Sequence, residues 1–152
     1  MEWLLFGLLA IFSFVIAFQD FKTRLISVWL IIGFTALNIA YYLIHNSVYQ
    51  FIENVIFCLC YFLFSYLILV LVFYLKTKKF EKLLDSKIGW GDVFIFIAIG
   101  CCIEPIYMIY FFTTCFIISL LAHLLFLQNK KNIPMAGFLV LFYLIFRLIL
   151  AF

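Results

Sequence analysis

Charge is what this sequence has least of. Only 11% of its 152 residues are Asp, Glu, Lys or Arg, while 70% are hydrophobic and 22% aromatic. A soluble domain carries roughly 25% charged residues and roughly 45–50% apolar ones. A chain with so little polar material cannot coat a water-facing surface, although its length would suffice for one core. That excludes a soluble globule, a disordered chain and a secreted disulfide scaffold. Metal-ligand patterns are missing too. The five cysteines (Cys58, Cys60, Cys101, Cys102 and Cys115) all lie in apolar runs and make no C-x-x-C pair, and no His stands at ligand spacing from them. They read as small packing residues. There is no internal repeat, no low-complexity tract and no room for a second domain, so residues 1–152 form one transmembrane unit.

What is present is a series of apolar runs. A bilayer core of ~30 Å takes about 20 apolar residues in a helix. The runs are Trp3–Phe18, Ser27–Ile44, Phe51–Leu75, a short Val93–Ile103, Ile106–Leu127 and Ile133–Phe152. The first does not read as a cleaved signal peptide, since Glu2 stands where a basic region belongs and no A-x-A site precedes Gln19. If the short fourth run counts as a span, nine of the ten basic residues fall on one side, with only Arg147 opposite. The positive-inside rule therefore predicts an all-α integral membrane protein with six transmembrane helices and three cytoplasmic basic loops.

The segment Lys76–Lys87 has five lysines against two acids and so holds the whole net charge of +3. Phe80, Leu83, Leu84 and Ile88 recur there at helical spacing, which predicts a short amphipathic helix between helices three and four, lying in the interface. A solvated basic linker is the alternative. Anionic lipid head groups suit these lysines, at about 1 kcal/mol per basic residue. Nucleic acid does not, because the basic residues flank spans and form no face of their own.

Ionisable residues at membrane depth are the functional candidates, because they are costly to keep there. Asp20 closes the first span, and Asp92 opens the fourth behind Gly89-Trp90-Gly91. The topology puts both carboxylates at the same inner level. Two adjoining carboxylates share a proton, so that one takes a proton from water while the other polarises a carbonyl, as in aspartic proteases. Glycines beside one Asp let a substrate backbone approach. A plainer reading stays open at this point: Asp20 merely ends a helix beside Lys22 and Arg24, and Asp92 caps one.

Gly89-Trp90-Gly91-Asp92 is a G-x-G-D sequence at the start of a membrane helix. Asp20 follows the first span, and Lys131-Asn132-Ile133-Pro134 leads into the last. In this order the three resemble the type IV prepilin peptidase family, including its short archaeal preflagellin-processing relatives. The resemblance implies an aspartic endopeptidase that removes the basic leader from prepilin-like or pseudopilin precursors at the cytoplasmic face of the cell membrane. It implies Asp20 and Asp92 as the catalytic pair, water as nucleophile, and neither metal nor cofactor. Gly89 and Gly91 would shape the active-site backbone, with Ile133 and Pro134 near the site.

The sequence departs from the family's pattern in several places. Ile26-Ser27-Val28 stands where Ile-Pro-Asn is frequent, Phe94 where Lys is frequent, and Ala136-Gly137 where Gly-Pro is common. Larger relatives also carry a methyltransferase region with paired C-x-x-C motifs between the first spans. Only about eight residues separate those spans here, which predicts peptidase activity without N-methylation.

Other polar residues read more simply. Ser119 and His123 share a helix face, and they, Asn38 and Ser65 predict interhelical hydrogen bonds in place of a Ser–His pair. Glu104-Pro105 predicts an outer turn, and Arg147 a snorkelling side chain. The rival to an enzyme is a non-catalytic scaffold or transporter subunit. A transporter would place polar groups at mid-depth on several helices, whereas these two acids share one edge.

Overall fold

The computed structural model describes residues 2–23, 25–78, 89–126 and 135–150. All regular structure among them is helical: α1 (Glu2–Thr23), α2 (Val28–His45), α3 (Val48–Thr77), α4 (Trp90–Gly100), α5 (Pro105–Phe126) and α6 (Met135–Leu150). Four of these, α1, α2, α3 and α5, are long and apolar enough to cross a membrane, while α4 and α6 are shorter apolar helices. The chain is a multi-pass membrane protein. The amphipathic helix expected after Lys76 falls mainly on residues 79–88, outside the described set.

Local chemistry sets the helix ends. The α3 start is a capping box: Ser47 Oγ accepts the Gln50 amide at 3.3 Å, and Gln50 Oε1 accepts the Ser47 amide at 3.0 Å. At its other end Lys78 adopts the left-handed conformation with φ 53°. Pro105 begins α5, as the Glu104-Pro105 turn requires. The α1 helix runs past Phe18 to Thr23, because Asp20 turns inward and is buried, so its polarity does not break the helix.

Between lipid-solvated helices, association depends on close packing more than on expulsion of water. Gly33 lies against the Phe12 ring and brings α2 onto α1, and Gly100 lies against Cys58 Sγ and brings α4 onto α3. A Cβ at either glycine would meet these groups. Helix α4 is the most enclosed, with Ile95 and Ile99 fully buried and Phe96 stacked 3.8 Å from Phe112 of α5. Helix α6 packs chiefly against α1, and also against α4 and α5. The α3 helix is peripheral, with only Asn54 and Cys58 buried along Val48–Val72. Cys58, Cys101, Cys102 and Cys115 are buried as packing residues, Cys60 is exposed on α3, and all five are free thiols.

Candidate active site

Three helix ends converge on one edge of the bundle: the last turn of α1 and the first turns of α4 and α6. Asp20 reaches the edge from α1. Just beyond it, Thr23 Oγ1 donates to the Gln19 carbonyl at 2.9 Å, and Gln19 Oε1 accepts the Ser27 amide at 3.1 Å. That side chain straps the short connection to α2 across the end of α1. Ile26 in this connection packs on α4, where a Cβ on Gly91 would stand 3.5 Å from Ile26 Cδ1.

Asp92 is the third residue of α4. Its amide bonds the carbonyl of the N-cap Gly89 at 3.1 Å. An acid in a first helical turn faces the positive end of the helix dipole.

Helix α6 joins the two acids. The first four amides of any helix have no partner within it. In α6 two of them are spent on carboxylates: the Ala136 amide donates to Asp92 Oδ1 at 2.9 Å, and the Gly137 amide to Asp20 Oδ2 at 2.7 Å. These nitrogens belong to successive residues, so the two accepted oxygens lie within about 9 Å of each other. Hydrogen bonds of this kind, to ionisable acceptors, are the strong ones. The site therefore has an anion-holding floor of backbone, with an acid from α1 on one side and an acid from α4 on the other.

Glycine crowds in on both acids. A Cβ on Gly89 would stand 3.3 Å from Asp92 Oδ2, and one on Gly137 would stand 3.2 Å from Asp20 Oδ2 and 3.1 Å from Phe21 Cε2. Of the two glycines expected to border the site, Gly89 touches the carboxylate while Gly91 touches Ile26. Ile133 and Pro134 lie outside the described residues. The holding amides of Ala136 and Gly137 were not anticipated from sequence, where that pair stood out only as a departure from Gly-Pro. Its signal was the small-residue pair at a helix start, which admits close approach by an acid.

A groove of about 500 Å³ lies between α2, α3 and α4. Ile31, Thr35, Phe94 and Ile97 line it, and it runs up to Ile39 and Phe51. The lining is apolar, since the Thr35 hydroxyl is turned back onto the Ile31 carbonyl at 2.7 Å.

The lesser candidates find other partners. Ser119 Oγ donates to the Cys115 carbonyl of its own helix, and the side chain of His123 lies outside the described set. Asn38 makes the expected interhelical bond, donating to the Ala98 carbonyl at 2.8 Å. Arg147 does not snorkel. Its guanidinium turns inward, with Nε donating to Tyr143 OH and Nη2 to the Cys102 carbonyl, both at 2.7 Å. A carbonyl left open at the end of α4 draws it in.

No curated protein and no solved structure matches the chain. One family model does, that of the type IV leader peptidase family, over residues 7–127. The matched stretch contains Asp20, Gly89, Gly91 and Asp92, and ends before α6. On this match the chain belongs to the type IV leader peptidase family.

Proposed function

We propose that this chain is a six-span intramembrane aspartic endopeptidase that cuts the basic leader from type IV prepilin-like precursors at the cytoplasmic membrane face. The observation that carries the reading is the convergence of Asp20 and Asp92 on successive amides of α6. Family membership supports a leader-peptidase-like protease in general.

In the reaction, one carboxylate is ionised and the other protonated. The ionised acid takes a proton from water as the water oxygen attacks the scissile carbonyl carbon. The protonated acid donates to the carbonyl oxygen, giving a gem-diol. Collapse then breaks the C–N bond, with one acid delivering a proton to the leaving amine and the other recovering one from the gem-diol. The α6 amides hold one oxygen of each carboxylate, Asp92 Oδ1 and Asp20 Oδ2. The apolar groove beside Phe94 suits an apolar segment of the precursor approaching from the bilayer.

Orientation rests on the helix directions. The α1 helix ends at the site edge, and α4 and α6 begin there. With six spans, nine of the ten basic residues fall in the three connections on that edge or in the last turns of α1 and α3, which suits the cytoplasm. Only residues 24–27 separate α1 from α2, and this short connection supports cleavage without N-methylation. Buried polar side chains do occur at mid-depth, as a transporter would have them. However, Asn38, Tyr143 and Arg147 bond one another and helix carbonyls, an arrangement that suits bracing better than transport. Co-expression with a small precursor bearing a basic leader, a Gly and an apolar helix tests the proposal. A mass loss equal to the leader is expected, and an intact precursor would contradict it.

A further inference from the structure

Helices α4 and α6 are joined by polar contacts at matched heights. At the site end, Asp92 accepts the Ala136 amide, 44 residues further on. At the far end, the Cys102 carbonyl accepts Arg147 Nη2, 45 residues further on. Between them, Asn38 of α2 donates to the Ala98 carbonyl at 2.8 Å and accepts from Tyr143 OH, and Ala98 and Tyr143 are likewise 45 apart. Both helices start at the site, so they run parallel, and the offset stays at 44 to 45 residues from one end to the other.

The middle and far rungs use carbonyls that the end of α4 leaves open. Its last turn tightens, with the Cys102 amide bonding the Ile99 carbonyl at 3.0 Å. The Ala98 carbonyl is then taken by Asn38. Arg147 Nε also donates to Tyr143 OH, and the guanidinium lies 5.2 Å and 5.4 Å from the Tyr143 and Tyr41 rings. Asn38 and Tyr143 are fully buried.

We propose that Arg147, Tyr143 and Asn38 are positioning residues for the aspartate pair, locking α6 in register with α4 so that the Ala136 and Gly137 amides meet Asp92 and Asp20. The inference rests on the reading of those acids as the acting pair. The physical reason is that interhelical hydrogen bonds add glue to helix packing in lipid and, being directional, fix its register. A slip of α6 by one residue moves each amide about 1.5 Å along the axis and turns it about 100°. Both carboxylates would lose their donors together. Arg147 stands about 15 Å from Gly137 along α6, so it acts on the site only through the helix.

Two readouts on the full chain in nanodiscs test this. The first is hydrogen–deuterium exchange at the Ala136 and Gly137 amides. Tyr143→Phe and Arg147→Gln should each speed it by about tenfold, while Arg147→Lys, which keeps a donor for the Cys102 carbonyl, should stay within about threefold of wild type. The second is cleavage of a synthetic precursor peptide with a basic leader, a Gly and an apolar helix. There, kcat should fall about tenfold with KM within about twofold. Tyr143→Phe removes one hydroxyl only, and keeps the test open if Arg147→Gln fails to fold. Unchanged exchange in Tyr143→Phe would overturn the proposal even if cleavage fell. Faster exchange in a protein whose wild type cleaves no such peptide would uphold the lock and overturn the peptidase reading.

Discussion

Asp20 and Asp92, carried by different helices, accept hydrogen bonds from successive backbone amides, Gly137 at 2.7 Å and Ala136 at 2.9 Å. A third helix thus sets the spacing of the two acids. If α6 is the floor of the site, changes in its first turn should act on catalysis with both aspartates left in the chain.

Gly137 offers the sharpest such change. In Gly137→Ala the new methyl must press on Asp20 Oδ2 and Phe21 at 3.1–3.2 Å. Displacing a catalytic group by a few tenths of an ångström should lower the cleavage rate about tenfold or more. Gly91→Ala places its methyl in ordinary contact with Ile26 and should cost about threefold at most. Equal losses in a peptide-cleavage assay would contradict this account of the two glycines.

Sequence alone placed the acids at one level, because counting six spans puts nine basic residues on one side and Asp20 and Asp92 on the same edge. It also located the Glu104-Pro105 turn and the break between Ile44 and Phe51 to within a few residues. It did not show the α6 amides, because orphan donors exist at every helix start and only tertiary packing selects which acid fills them. Arg147 was misread for a similar reason. Near the end of an apolar helix snorkelling is the default, and the Cys102 carbonyl that turns the side chain inward lies 45 residues away in sequence.

Tyr42 provides a contrast with the bracing residues. Its hydroxyl accepts from Asn54 at 2.9 Å and joins α2 to α3. Tyr42→Phe should cost about 1 kcal/mol of stability, as interhelical hydrogen bonds in membranes do, and leave peptide cleavage unchanged. Denaturant titration in mixed micelles and the peptide assay check the two halves of this statement.

A pair that needs one ionised and one protonated acid works only between two limits of pH. The pH–rate profile for cleavage should therefore be bell-shaped. A rate that rises monotonically across the accessible range would contradict a two-carboxylate mechanism.

The connection between α1 and α2 is only residues 24–27. Mass spectrometry of the mature N-terminus, released by the purified chain with a methyl donor present, should show no added methyl group. A mass increase of one methyl would overturn the expectation of cleavage without methylation.

Whether Asp20 and Asp92 act together on the peptide bond is decided by the leader-cleavage rates of Asp20→Asn and Asp92→Asn, each inserted in membranes and eluting like wild type in detergent. Both variants should lose cleavage by about a thousandfold or more. Cleavage at the wild-type rate by either one would contradict the account.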